Sequence, residues 1–318
     1  MSLKSRVGKT APRWVVRRYR RYATALEFVR DYRDYAASTA WDMGAAGSDD
    51  RRDDQEALES RLIIGYHGLE KGTSFPAPRR PYGAARRAEI DQLLALSKRK
   101  GYQLRSESHA RSAVASLDDF NANGSFSDEV TPVSNWDGSA HDYESVARFV
   151  GSRHSVRNFD TRKPVDLSII RRVVELAGST PSVCNRRSYR AHYFDDRDSI
   201  DSLLSLHNGN SGFGHTVPGL FVVTERRSSF VGAGERNQRW IDGGLFAMTL
   251  VWVAHALGLG TCLLNWSQPN AQSDRLRKAA AIPNSEDIIV MIAVGHPAPG
   301  HRVPRSPRRP TEEIFVHH

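Results

Sequence analysis

Beyond residue 140 the apolar positions fall into two rhythms. Leu220-Phe221-Val222-Val223 and Ile288 to Val294 are unbroken apolar runs of strand length, the pattern of strands covered on both faces by helices. Between such runs, apolar residues recur at steps of three and four. This predicts strands at about 189–195, 219–224, 260–265 and 287–294, and helices at about 142–150, 168–178, 198–207, 240–257 and 273–281. The expected architecture is α+β, a central mixed sheet flanked by helices, with a core large enough to stand alone. Leu245 to Trp266 reaches bilayer length, 22 residues with His255 as its only basic or acidic side chain. Gly258 and Gly260 break it into a helix end and a strand from Thr261 to Asn265, so it reads as buried core rather than a membrane span.

The preceding chain is patterned differently. Val15, Tyr19, Tyr22, Leu26 and Val29 mark one face of a helix over 13–36. Residues 44–56 read as a polar linker, and a second helix runs through Leu58 to Ile64 until His67-Gly68-Leu69-Glu70-Lys71-Gly72 breaks it. Pro76, Pro78, Pro81 and Gly83 mark an irregular loop, and Ala84 to Lys98 is helical around Ile90, Leu93, Leu94 and Leu96. Residues 121–142 lack periodicity and form the boundary. We expect two domains, a helical extension with a basic arm and a loop over 1–140, and the sheet-containing domain over 141–318. No internal repeat is visible.

Composition narrows the class. With 39% hydrophobic and 25% charged residues among 318, the chain is of ordinary globular type. Its formal charge of +9 is concentrated: residues 1–33 hold ten Lys and Arg against Glu27 and Asp31. A nearly neutral body excludes a nucleic-acid groove. The basic helix has two readings, docking on its own protein with a solvated cationic face, or contact with an anionic membrane surface. Arg17-Arg18-Tyr19-Arg20-Arg21 leads into polar helix and not into an apolar signal core. Cys184 and Cys262 supply neither a disulfide framework nor a metal site. A cytoplasmic protein without a metal is expected.

The sequence has no P-loop, HExxH or GxSxG motif, and Gly232-Ala233-Gly234 follows no strand and lacks a third glycine. Ser152-Arg153-His154-Ser155-Val156-Arg157-Asn158-Phe159-Asp160 stands out. Two arginines, a serine and a histidine on one bend offer forked donors to a phosphate and a flavin pyrimidine. The competing reading is a surface loop whose arginines pair with Asp160 and Asp166.

That run, the Pro181-Ser182-Val183-Cys184-Asn185 loop, and Asp242-Gly243-Gly244 through Leu257-Gly258-Leu259-Gly260 resemble, in order and spacing, the FMN-dependent nitroreductase superfamily over about 143–316. The resemblance implies a homodimer with FMN at the interface and NAD(P)H as electron donor. It implies hydride transfer through flavin N5 to a small electron-poor acceptor of quinone or nitro type, in a ping-pong reaction. Arg153, His154 and Ser155 would hold the phosphate and ribityl chain, and Arg157 the pyrimidine oxygen. Pro181, Ser182 and Asn185 would reach a flavin across the interface. Asn210 matches an asparagine that bonds the cofactor, Leu264, Asn265 and Trp266 follow the strand that donates to N5, and Arg305 and Arg308 match a late pair that closes on the phosphate.

The departures are informative. Phe213 stands where a lysine is usual, which makes the pocket more apolar, and Asn265-Trp266 replaces Glu-Gly, so the indole is expected to narrow the space over the flavin. No substrate-gating helices are recognisable between Arg226 and Trp240. The extension lies outside the resemblance; His67, Glu70 and Lys71 are candidate substrate contacts on a loop capping the flavin, set against an irregular loop pinned by its own charges. A reading of another class is a catalytically idle flavin or nucleotide module recruited to a membrane or acidic partner by its basic helix, and Phe213 and Trp266 leave room for it.

Overall fold

The computed structural model describes residues 12–38, 51–135, 137, 138 and 142–318. Lys4, Arg6, Lys9 and the linker from 44 to 50 lie outside the described residues. The apolar runs become four strands: β1 (Tyr189–Phe194), β2 (Gly219–Arg226), β3 (Gly260–Asn265) and β4 (Glu286–Gly295). They are ordered β1-β2-β4-β3. Every neighbouring pair is antiparallel, so the sheet is not mixed. The only parallel contact among the described residues is a lone bridge from Ser155 to Thr261.

Alternate side chains divide the two cores. Leu220, Val222, Cys262, Leu264, Met291 and Ala293 face one side with α7 (Arg197–Ser205) and α9 (Asn270–Ala279). Phe221, Val223, Val290, Ile292 and Val294 face the other, under α6 (Leu167–Ala177) and α8 (Gln238–Ala256). The 22-residue apolar run is indeed split between α8 and β3, and no helix among the described residues is long and apolar enough to cross a membrane. α5 (Tyr143–Ser152) lies on α8, with the Phe149 ring 5.4 Å from Trp252.

The extension builds a separate apolar cluster from three helices, α2 (Arg51–Thr73), α3 (Ala84–Lys100) and α4 (Glu107–Asn123). Residues 51–56 are helix and not linker, and His67 to Gly72 does not break α2. The glycines there serve close approach. A Cβ on Gly68 would collide with the Arg86 guanidinium, and one on Gly72 with the Tyr82 ring. Gly65 meets Ile90 on the same face, so the spacing that reads as a helix breaker is a packing groove for α3. The earlier helix, α1 (Arg13–Ser38), docks by its polar side. Arg30 forks onto Asp274 at 2.8 Å, Glu27 accepts from Asn270, and the Tyr35 hydroxyl donates to the Gly232 carbonyl. Its apolar stripe points outward, with Tyr19, Tyr22, Leu26 and Val29 all more than half exposed.

Candidate functional site

The Arg153–Arg157 segment is fixed by backbone, not by ion pairs. Val156 N–H donates to the Thr261 carbonyl at 2.9 Å, and Gly260 admits the segment because a Cβ there would strike Val156 and Pro297. The acids that the surface-loop reading assigns to these arginines are engaged elsewhere: Asp160 holds Arg162 at 3.1 Å, and Asp166 caps α6 by accepting from Ser168 N–H. Arg157 is exposed with no hydrogen-bond or ion-pair partner among the described residues, and the Arg153 guanidinium lies 5.7 Å from the Trp252 ring centre. A cavity of about 240 Å³ opens here, lined by Arg153, His154, Gly258 and His255. His255 Nε2 meets Ser152 Oγ at 2.8 Å, and burial, with Arg153 nearby, lowers its pKa. Burial raises the Cys262 thiol on the adjoining strand, against the pull of Arg157 and Arg153.

A second group gathers at the other end of β3. His207 Nε2–H donates to the Asn265 carbonyl at 2.9 Å while its Nδ1 accepts from Gly209 N–H at 2.8 Å. This histidine, which sequence reasoning missed, ties the Asn210 loop to the strand end. The half-buried Asn210 takes Phe213 and Gly214 N–H on its carbonyl, leaving its side chain without a partner among the described residues. Two candidate residues lie in the core. Phe213 packs there with Leu204 and Val217, its backbone N–H donating to the Asn210 carbonyl. Trp266 is also largely buried, its indole N–H donating to Ser273 at 3.0 Å beneath α9, and it lines a cavity shared with α1. Leu264 is buried likewise, while the Asn265 side chain is exposed and its amide donates to Ser267 Oγ at 2.7 Å.

From Thr261 to Asn265 is about 13 Å of strand, the span of a mononucleotide. The Pro181–Asn185 loop is elsewhere, ahead of β1 on the opposite sheet edge, three strand spacings or about 14 Å from β3. The loop is tightly built. Val183 N–H donates to Asp242 at 3.1 Å, Ser182 Oγ accepts from Arg187 N–H, and Arg186 forks onto Glu235 at 2.8 Å. Cys184, Asn185 and Arg187 all hold positive φ, of 48°, 56° and 49°. Beneath it the fully buried Glu225 accepts from Ser188 Oγ at 2.6 Å, and burial pushes its carboxyl up to about 8. Arg305 and Arg308 lie in exposed, extended chain without partners among the described residues.

The extension meets this loop. His67 and Glu70 sit on α2 as an i,i+3 pair at 3.4 Å rather than on a capping loop, and Lys71 is exposed beside them. Burial raises the Glu70 carboxyl, opposed by His67, His109 and Arg187.

The Nitroreductase family model matches residues 150–207 and 201–296. No curated protein matches the sequence. Among solved structures, a candidate nitroreductase from Bacillus subtilis is 17% identical with a TM-score of 0.50, covering 56% of this chain and 100% of its own. One from Desulfovibrio desulfuricans, solved in complex with FMN, is 23% identical with a TM-score of 0.47 over 56% and 98%. An FMN-dependent nitroreductase from Clostridium difficile is 20% identical with a TM-score of 0.44 over 54% and 96%. Sequence match and shared fold coincide on the same segment: residues 150–296 match the Nitroreductase family model and the fold is nitroreductase-like.

Proposed function

We propose that the protein is a homodimeric, FMN-dependent NAD(P)H oxidoreductase acting on a small electron-poor acceptor, a quinone or nitro compound. The observation that carries this is the pair of guanidiniums, Arg153 and Arg157, held by backbone at the head of β3 with no acidic partner among the described residues. Two uncommitted forked donors beside His154 and Ser155 fit an anionic phosphate and an electron-rich ring oxygen. FMN, when bound, supplies the hydride-accepting centre that links NAD(P)H oxidation to acceptor reduction.

The chain contributes position and charge. Arg153, His154 and Ser155 take the phosphate end, Arg157 and Asn210 the polar ring edge, and backbone N–H groups from Leu264 to Trp266 the central ring. Arg305 and Arg308 close on the phosphate. Pro181, Ser182 and Asn185 of the partner subunit complete the site, because a single copy keeps that loop on the far sheet edge. An apolar face supports the pairing: Tyr143, Val146 and Val150 on α5, with Trp240, Ile241 and Leu245 on α8, are all exposed. The domain division at about residue 140 and a place in the cytoplasm belong to the same proposal.

Equilibrium titration of FMN into protein stripped of flavin tests it. Arg153→Ala and Arg157→Ala should each weaken FMN binding by about tenfold or more, as expected on losing a charge-assisted hydrogen bond. Wild-type protein that binds no FMN would refute the assignment.

A further inference from the structure

A second cavity, of about 470 Å³, lies on the seam between the extension and the Pro181–Arg187 loop. Ser106, just ahead of α4, and His109 on α4 enter it, with Tyr66 from α2 and Arg187, Arg190 and Arg226 from the sheet side. Its charge is unbalanced. Glu56 meets three guanidiniums, Arg105 at 2.7 Å, Arg226 at 2.7 Å and Arg190 at 3.4 Å, and Arg190 also pairs with Glu286 at 3.1 Å. Burial would raise this carboxyl, but the arginines outweigh it and hold it below its usual range. Glu59 is consumed by the backbone N–H groups of Arg105 and Ser106. Arg187 makes no ion pair among the described residues, its Nε donating to Asn185 Oδ1 at 2.9 Å and its charge felt by the nearby Glu70.

Two buried donors are left over. Ser106 is 5% exposed, and its Oγ has no partner among the described residues; nor does the buried Arg226 Nε. An unsatisfied hydroxyl in a cationic pocket costs free energy unless something occupies the pocket. The wall opposite is aromatic, with the Tyr66 and His109 rings 6.4 Å apart.

We infer that this pocket receives the carboxylate of an aromatic acceptor, with Arg187 and Ser106 as its donors and the Tyr66 ring as its wall. The inference rests on the proposed flavin reading, which sets Asn185, at the rim of this pocket, against the flavin of the partner subunit. The extension then acts as a selectivity device that favours anionic acceptors over neutral ones of the same reactivity.

Calorimetric titration of benzoate into oxidised protein, without electron donor, tests the pocket independently of turnover. Wild type should bind, Arg187→Ala and Ser106→Ala should each weaken binding by about tenfold, and Arg187→Lys should recover part of the loss. In steady state, the ratio of kcat/KM for 4-nitrobenzoate to that for nitrobenzene should fall by a similar factor in Arg187→Ala. Benzoate binding sensitive to these substitutions in a protein that takes no FMN would uphold the anion site while the oxidoreductase reading fails. No benzoate binding by wild type, or equal binding by all variants, overturns the inference and leaves the seam as a packing contact.

Discussion

Phe221 and Val223 on β2 are sealed beneath α8 by carbon alone, whereas α2 meets the same strand's end through Glu56, Arg226 and the Ser60–Ser229 hydroxyl pair. The first contact is made of groups that have nowhere else to go in water. The second is made of groups that water would also satisfy. A sheet core of the first kind tolerates chemical variety above it, and a seam of the second kind can be specific without being rigid. The extension is therefore placed to tune a site that the sheet builds.

The comparison can be broken most strongly in the core. Phe221→Ala should cost about 4 kcal/mol of unfolding free energy, since it empties a fully buried aromatic site, and denaturant melts would record it as loss of the whole sheet. Glu56→Ala should cost about 3 kcal/mol by stranding the largely buried Arg226, and hydrogen exchange should show α2 amides opening while β2 and β4 stay protected. Uniform loosening of sheet and extension would instead make them one cooperative unit.

Glu225 gives a pH test of the loop between them. Its folded-state pKa is raised from 4.5 to about 8, so the protonated carboxyl stabilises the fold at low pH, and that contribution is lost as pH rises through this window. Glu225→Gln should flatten the decline, gaining about 2 kcal/mol on wild type at pH 8 relative to pH 5. Parallel pH profiles for the two proteins would show that burial does not hold the proton. The smallest effect concerns α1. Its outward aromatic stripe, flanked by Arg17, Arg18, Arg20 and Arg21, complements an anionic lipid surface. Deleting residues 1–38 should abolish cosedimentation with phosphatidylserine vesicles and leave flavin content unchanged; undiminished cosedimentation would dismiss a lipid role.

The same contrast governs what the chain's pattern disclosed. All four strands and the helices around them follow from periodicity, because buried apolar runs admit few other structures. The extension was less legible. α4 buries Ala110, Ala113 and Ser116, small residues that carry little hydrophobic signal, and the Gly65, Gly68 and Gly72 groove mimics a break. At the site, Arg153 to Arg157 stood out because paired cations on a bend are unusual. The burial of Phe213 and Trp266 is not legible in the pattern, because an isolated aromatic in a loop carries no periodicity to say which way it faces. His207, Arg187 and His109 went unnoticed, since their roles depend on partners 58 residues away or on another helix. The dipeptide Arg186-Arg187 after the flavin loop was the available clue.

The most direct measurement is an anaerobic absorbance spectrum of the purified protein, recorded before and after adding NADH and then NADPH. The account predicts a bound flavin spectrum that bleaches with one of the two donors and returns when a quinone or nitro acceptor is added. A colourless protein that takes up no added FMN, or a bound flavin that neither donor bleaches, would contradict it.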